Sequence, residues 1–344
     1  MKFDFVIGNP PYQDNTIGEN DTYAPPVYNR FMDAAFEVAD KVELIHPARF
    51  LFNAGSTPKA WNKKMLQDEH FKIIQYEEDC SKVFSNTDIK GGIAVSYRDK
   101  NKDFGAIDIF TPYPMMNTIL HKVRKTKGFE AMTDIIVSSY SYHFTEQVYT
   151  DYPDAKGSLS KGHDYDFKSN VFSKMPQPFY EEKPDDGHVY LKILGRENNQ
   201  RTYRYIRKEY VDNVCNLFSY KVFMSGATGS GAFGETIAPP IVEEPGTGAT
   251  ETFLSIGTLN TLDEANAVVS YIKTKFARAM FGVLKRTQAN TPDKWSYVPL
   301  QDFTSSSDID WSQSITNIDK QLYKKYNLSD EEINFIETNV KEME

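Results

Sequence analysis

The chain has 344 residues, room for two domains, and its 40% apolar and 14% aromatic content excludes a disordered chain. A formal net charge of −9 argues against binding nucleic acid by bulk attraction, although a local basic groove on an acidic body stays open. Cys80, Cys215 and six scattered histidines offer neither a disulfide framework nor metal-ligand spacing, no apolar run approaches a membrane span, and Asp4 with the early prolines leaves no signal-peptide core, so the expectation is a reduced, cytoplasmic protein with no membrane partner.

In chain order, residues 3–8, Phe-Asp-Phe-Val-Ile-Gly, read as a buried strand that stops at Asn9-Pro10-Pro11. After a polar loop, Pro25-Pro26 precede a helix over 27–39, with Tyr28, Phe31, Ala35 and Val38 spaced as its apolar face. A second strand at 42–46 is ended by Pro47. A short helix near 61–66 leads to a strand at 71–76, and Gly91-Gly92 opens another at 93–98. This alternation of strands and helices predicts an α/β fold with a doubly wound, Rossmann-like sheet.

Beyond about residue 101 the pattern turns polar, aromatic and Gly-rich. Residues 188–194 and 217–224 read as strands, and 225–250 as loops. Thr261 with Glu264 forms a capping box for one long helix, with Ala265, Val268, Val269, Ile272, Phe276, Met280 and Val283 on its broad face. Residues 303–312 read as a linker, and Ser329 with Glu332 caps a last helix, Leu328 and Ile333 forming its hydrophobic staple. The expected division is a partial α/β domain over 1–104, a mixed α+β domain over 105–302, and a linker with terminal helix over 303–344.

The residues that carry chemistry are Asn9, Pro10, Pro11 and Tyr12, placed at the carboxyl end of an α/β strand, where ligands of open sheets bind. An exocyclic amino group such as that of adenine is a poor nucleophile, because its lone pair is delocalised into the ring. Two acceptors aimed at its protons favour a tetrahedral nitrogen and localise that pair. The Asn9 side-chain carbonyl and the Pro10 backbone carbonyl are the candidates, the latter held stiffly because proline fixes φ. Preorganised groups of this kind are worth roughly 3 kcal/mol each by analogy with oxyanion holes. Tyr12 offers a ring face to a base that must leave the duplex to be reached.

With this loop, 5–13 resembles the catalytic motif of the amino-methyltransferase family, and the chain beyond residue 13 resembles the adenine-specific (N6) DNA methyltransferases of type II restriction–modification systems. The segments at 28–32, 44–51 and 89–95 are similar to their next motifs; 271–276, 295–302 and 318–326 are similar to their recognition domains. The resemblance implies methyl transfer from S-adenosylmethionine to adenine N6 in double-stranded DNA with a flipped base, without a covalent intermediate. It also implies a target-recognition domain after residue 105 and a base-stacking aromatic on the late strand, for which Tyr97 is the nearest candidate, an ordinary strand aromatic being the alternative. Relatives with this motif order carry a Gly-rich cofactor motif, an acidic strand and an adenine-binding Asp ahead of the loop, whereas eight residues precede Asn9 here. The expectation is therefore that most of the S-adenosylmethionine pocket lies outside this chain, with a separate chain as a candidate source of it. The rival reading is a catalytically silent DNA-binding or specificity module; protein glutamine methylation, which uses the same tetrapeptide, does not call for the large region after 105.

Other signals are weaker. Arg201, Arg204, Arg207 and Lys208, interleaved with Tyr203 and Tyr205, form a candidate DNA-contacting strip, or else a solvated strand face. Gly229, Gly231 and Gly234 match a dinucleotide fingerprint, but Pro239-Pro240 stand where its helix must start, so a loop is the expectation. The basic runs at Lys122, Arg124, Lys125 and Lys127, and at Lys273, Lys275, Lys285 and Arg286, read as solvated faces. His163-Asp164-Tyr165-Asp166 reads as a surface loop rather than a metal site, and Glu181-Glu182-Lys183 lacks the upstream Asp strand a nuclease needs.

Overall fold

The computed structural model describes residues 2–14, 24–53, 55–85, 89, 91–212, 216–285 and 287–343; Cys215 and Arg286 lie outside them, as does Lys90 of the 89–95 segment. The chain divides into two compact units, Met1–Asn117 and Thr118–Glu344. Both mix helices and sheets.

In the first unit the strand β1 (Phe3–Gly8) is followed by the helix α1 (Tyr28–Val38), which returns the chain to pair β2 (Ala39–Pro47) parallel to β1. The helix α2 (Lys59–Gln67) and strands β3 (Phe71–Glu77) and β4 (Ile93–Asp99) complete it. The sheet order is β1-β2-β4-β3, and the last two pairings are antiparallel. Alternation along β2 turns Val42, Leu44 and His46 to one face, where Tyr28 and Met32 of α1 and Trp61 and Met65 of α2 close a core around Phe50 and Phe71. Both helices thus feed one core, and the expected doubly wound sheet is, among the described residues, a mixed sheet covered by helices on one face.

Two expectations are corrected here. The strand β1 is not buried: Val6 packs against the core, but Phe3, Phe5 and Ile7, alternating with it, face outward, and Ile7 is 73% exposed. On α1 the buried stripe is Tyr28 and Met32 backed by Ala35 and Phe36, whereas Phe31 is exposed. The helix meets the sheet about one position away from the stripe that apolar spacing alone suggests.

The unit extends past residue 105 because its tail is stitched to it. Phe104 N–H donates to Glu69 O at 2.7 Å, Asp108 N–H to Leu66 O at 2.8 Å, and Thr111 N–H to Asn117 Oδ1 at 2.9 Å. The division between the units falls within helix α3 (Pro114–Lys125).

The second unit opens with β5 (Ile136–Val137) and two short helices, α4 (Gln147–Asp151) and α5 (Val171–Lys174). Strands β6 (Tyr190–Glu197), β7 (Gln200–Arg207), β8 (Tyr220–Ser225), β9 (Ile241–Glu243), β10 (Thr247–Ala249) and β11 (Phe253–Leu259) follow. They make two sheets, β10-β6-β7 and β5-β11-β8-β9, around a shared core that includes Tyr142, Phe144, Leu191, Ile193, Ile206, Phe223 and Phe253. The β6–β7 hairpin turns at Asn198 and Asn199, both with positive φ, as a tight turn demands.

The helix expected to run on from residue 261 is two helices, α6 (Leu262–Lys273) and α7 (Lys275–Gly282). Thr274 has ψ 147° and caps α7: its hydroxyl donates to Tyr271 O at 2.6 Å and accepts from Ala277 N–H at 3.1 Å. The buried Asp319 carboxylate accepts from the next two N–H groups, Lys275 at 3.0 Å and Phe276 at 2.9 Å. Asp319 lies on α8 (Ile315–Lys325), so the break is held by a residue far along the chain that no helical pattern reveals. The last helix, α9 (Asp330–Asn339), starts as expected with a complete Ser329–Glu332 capping box. Residues 303–344 belong to the second unit, with α8 against α6 and α7, and α9 against α7.

Candidate active site

The Asn9–Tyr12 loop leaves the carboxyl end of β1, and backbone pairing fixes its course. Tyr12 O accepts from Val27 N–H at 3.2 Å, and Asp14 N–H donates to Pro25 O at 2.9 Å, which ties the loop to the segment just ahead of α1. Asn9 and Pro11 are exposed, and Pro10 and Tyr12 are half-buried. The Tyr12 hydroxyl is itself buried, and the Asn9 side chain is the polar group beside it. Burial pushes its pKa up, with the nearby Asn9 side chain opposing, so the phenol stays neutral at physiological pH.

Beside Tyr12 lies a cavity of about 280 Å³, lined among others by Gln13, Pro26, Tyr28, Pro47, Arg49 and Ser56. Tyr28 stacks on His46, with centroids 6.1 Å apart and planes at 6°, and meets Trp61 edge-on. Burial raises the Tyr28 pKa to about 12, against the lowering effects of Thr57 and Arg49. His46 is fully buried; its Nε2 pairs with Ser96 Oγ at 2.9 Å, and desolvation lowers its pKa to about 4. It is a neutral core residue at physiological pH.

The residue that the sequence reading missed is Phe84. Its ring centroid lies 6.5 Å from that of Tyr12, with planes at 66°. Phe84 sits just beyond a 3₁₀ turn, Cys80–Lys82, whose Cys80 O accepts from Phe84 N–H at 2.8 Å and whose Cys80 Sγ accepts from Ile89 N–H at 3.0 Å. The available signal was its place in the polar loop leading to β4, not any periodicity. Tyr97 is not brought to this cavity. In β4 it pairs with Glu43 and Lys72, its ring lies 6.4 Å from Phe5 and 6.0 Å from Phe104, and its hydroxyl donates to Asp99. Strand alternation puts it with Phe5, on the face away from α1, because a residue opposite Glu43 cannot share the face of Val42 and Leu44.

In the second unit the basic strip of β7 is largely engaged within the fold. Arg204 pairs with Glu197 at 2.5 Å and Glu181 at 3.3 Å, and Arg207 with Asp186 at 3.1 Å. Arg201 donates to Pro239 O at 2.9 Å, and Lys208 stands over the Phe218 ring at 5.0 Å. Lys122 binds Glu332 at 2.6 Å and Lys275 binds Glu337 at 2.6 Å, so these two are also pinned rather than solvated. His143 and His163 both meet Asp166, at 3.1 and 2.6 Å.

The Gly229–Gly234 loop does form a nest of backbone donors, but the anion in it is the chain's own. Glu235 accepts from Ser230 N–H at 2.8 Å, Gly231 N–H at 2.9 Å and Lys285 Nζ at 2.5 Å. These donors pull its pKa down to about 2 despite partial burial. Lys285, expected on a solvated helix face, lies just beyond α7 with its side chain 2% exposed. At Gly234, φ is +71° and an added Cβ would stand 2.1 Å from Asn339 O, so glycine is required by contact as well as by conformation.

Residues 1–84 match a family model described as Eco57I restriction-modification methylase. Over 95 residues the chain is 33% identical to a protein of Mycoplasma pneumoniae described as an uncharacterized adenine-specific methylase, a match that takes in 27% of this chain and 22% of that protein. The N-terminal part of the chain is therefore similar to restriction–modification methylases. The chain spans less than a quarter of that relative's length within the match. A solved type IIL restriction-modification enzyme, MmeI in complex with DNA, overlays 97% of this chain and 56% of its own at a TM-score of 0.35 and 9% identity, too loosely for fold or site to follow from it. No described helix is long and apolar enough to cross a membrane.

Proposed function

We propose that this chain carries the catalytic loop and a DNA-recognition region of an enzyme that methylates adenine N6 in double-stranded DNA, with S-adenosylmethionine as methyl donor, within a restriction–modification system. The observation that carries this is the arrangement at the end of β1: the Asn9-Pro10-Pro11-Tyr12 loop follows the strand directly, Tyr12 lines a cavity of about 280 Å³, and Phe84 meets its ring edge-on. The match of residues 1–84 to a restriction–modification methylase family supports it.

In this reading the flipped adenine lies against Tyr12, whose ring Phe84 supports edge-on. The Asn9 Oδ1 and Pro10 carbonyl accept hydrogen bonds from its amino group and localise the nitrogen lone pair toward the electrophilic methyl group that S-adenosylmethionine supplies. The proton leaves after transfer, so no dedicated base is needed, and the neutral Tyr12 and His46 agree with that. The Gly-rich loop at 229–234 is not read as a cradle for the donor, since its N–H groups close on Glu235. The outer edge of β1, unpaired among the described strands and bearing exposed Phe3, Phe5 and Ile7, is where a further strand of the same or another polypeptide would extend the sheet and bring cofactor contacts.

The test is tritiated methyl transfer from S-adenosylmethionine to mixed-sequence genomic DNA, with the chain alone and with a co-expressed segment carrying a Gly-rich cofactor motif. N6-methyladenine is expected as product, and Asn9→Ala should abolish it while DNA binding stays nearly intact. Equal activity in Asn9→Ala would remove the main reason for the assignment. DNA binding without methylation under every condition would favour the silent specificity module.

A further inference from the structure

Arg49 is the single charged side chain among the described residues that line the cavity beside Tyr12. It opens the 3₁₀ turn Arg49–Phe52 directly after β2, two residues past Pro47, and is half-buried. Two backbone segments grip its stem. A Cβ on Gly55 would lie 3.2 Å from Arg49 Cβ, and one on Gly91 would lie 2.9 Å from Arg49 Cγ. Both glycines have left-handed φ, +82° and +89°, a conformation costly for other residues. The aliphatic part of Arg49 is thus confined from two sides, which limits where its head can go. Arg49 lies near enough to the Tyr28 hydroxyl that its charge, after the Thr57 hydrogen bond, opposes the upward shift that burial causes there.

The rest of the wall is uncharged: Tyr12 and Tyr28 are aromatic, Gln13 and Ser56 are polar, and the remainder is proline, aliphatic and glycine. Aromatic faces take a planar base, and a guanidinium takes an oxyanion with two parallel hydrogen bonds at any physiological pH. A ligand that satisfies both together is a nucleotide, a base with a phosphate attached.

We propose that Arg49 anchors the phosphate of the nucleotide whose base lies against Tyr12; this rests on reading the cavity as the adenine site. The anchor fixes the sugar-phosphate end of the flipped nucleotide, so that the amino group meets Asn9 and Pro10 at the other end.

The test is titration of the chain with deoxyadenosine 5′-monophosphate and with deoxyadenosine, followed by NMR. The wild type should bind the monophosphate about tenfold more tightly than the nucleoside, as a charge-assisted pair provides. Arg49→Met should level the two affinities and Arg49→Lys should keep part of the preference. Gly91→Ala retains the charge but drives a methyl group against the Arg49 stem, and should lower the preference as well. Tyr12→Leu should weaken both ligands together. Circular dichroism identifies any variant that fails to fold; if Arg49→Met does, Arg49→Lys and Gly91→Ala carry the comparison. Equal affinities in the wild type, or a preference untouched by these substitutions, overturn the phosphate assignment and leave the adenine site standing. Failure of both nucleoside and nucleotide to bind overturns the reading of the cavity, and the proposal falls with it.

Discussion

Phe84 presents its ring to Tyr12 at 66°, with centroids 6.5 Å apart, although the two residues come from loops at the ends of different strands. In the proposed reading Tyr12 stacks on the base, which is worth about 1–3 kcal/mol by alanine substitution, and Phe84 holds that ring in place. Phe84→Ala should therefore lower methyl transfer to genomic DNA by about 10- to 100-fold at subsaturating DNA. Tyr97→Ala, on the other face of the sheet, should stay within about threefold of the wild type. The reverse ranking, from initial rates of the two variants side by side, would return the stacking role to β4.

The ion pairs of Arg204 and Arg207 point to a structural role in the second unit. Arg204 is mostly buried and its guanidinium is shared between Glu197 and Glu181, so Arg204→Ala leaves carboxylates without a partner. Arg204→Ala should cost about 1–2 kcal/mol, read as a shift of the urea midpoint at unchanged slope, and Arg207→Ala should shift the midpoint in the same direction by less. The salt dependence of DNA binding should hardly change. A fall of about 0.9 in the log–log slope for each arginine removed would instead make them phosphate contacts.

Lys285 and Glu235 form a nearly buried pair inside the Gly-rich loop. Removing one partner strands the other, so Lys285→Met alone should destabilise the protein by about 3–5 kcal/mol. Adding Glu235→Gln should restore a good part of that, because the stranded charge is gone. Thermal melts of the single and double variants check this, and simple additivity would show that the pair does not act as a unit.

His46 in the first unit and Asp319 in the second should pull stability in opposite directions with pH. Folding lowers the His46 pKa to about 4, so the unfolded chain takes the proton first. The first unit should be most stable above the unfolded value near 6.5 and lose on the order of 3 kcal/mol as pH falls toward 4. Folding raises the Asp319 pKa to about 6, mainly through burial, so there the unfolded chain ionises first. The second unit should lose a similar amount, on the order of 3 kcal/mol, as pH rises from about 4 to about 6. Urea unfolding across pH 4–7 on His46→Asn and Asp319→Asn should show the first variant losing the acid-side slope and the second the opposing one. Slopes unchanged from wild type in both variants would mean that neither group governs the pH response.

What the sequence determined by itself was local. The end of β1 at Asn9-Pro10-Pro11, the extent of β2, β3 and β4 to within a few residues, and the start of α9 at Ser329 were legible, because proline geometry, period-two alternation and capping act over a few neighbouring residues. Only the tertiary structure decided which distant side chains meet. It brought Phe84 rather than Tyr97 to Tyr12, because strand register puts Tyr97 on the face away from α1. It broke the helix at Thr274, where Asp319 takes the freed N–H groups. It also gave Arg204 and Arg207 carboxylate partners and filled the Gly-rich nest with Glu235. A residue's pattern reports its own backbone; its partners across the chain are set by how the elements pack, and packing leaves no period in the sequence.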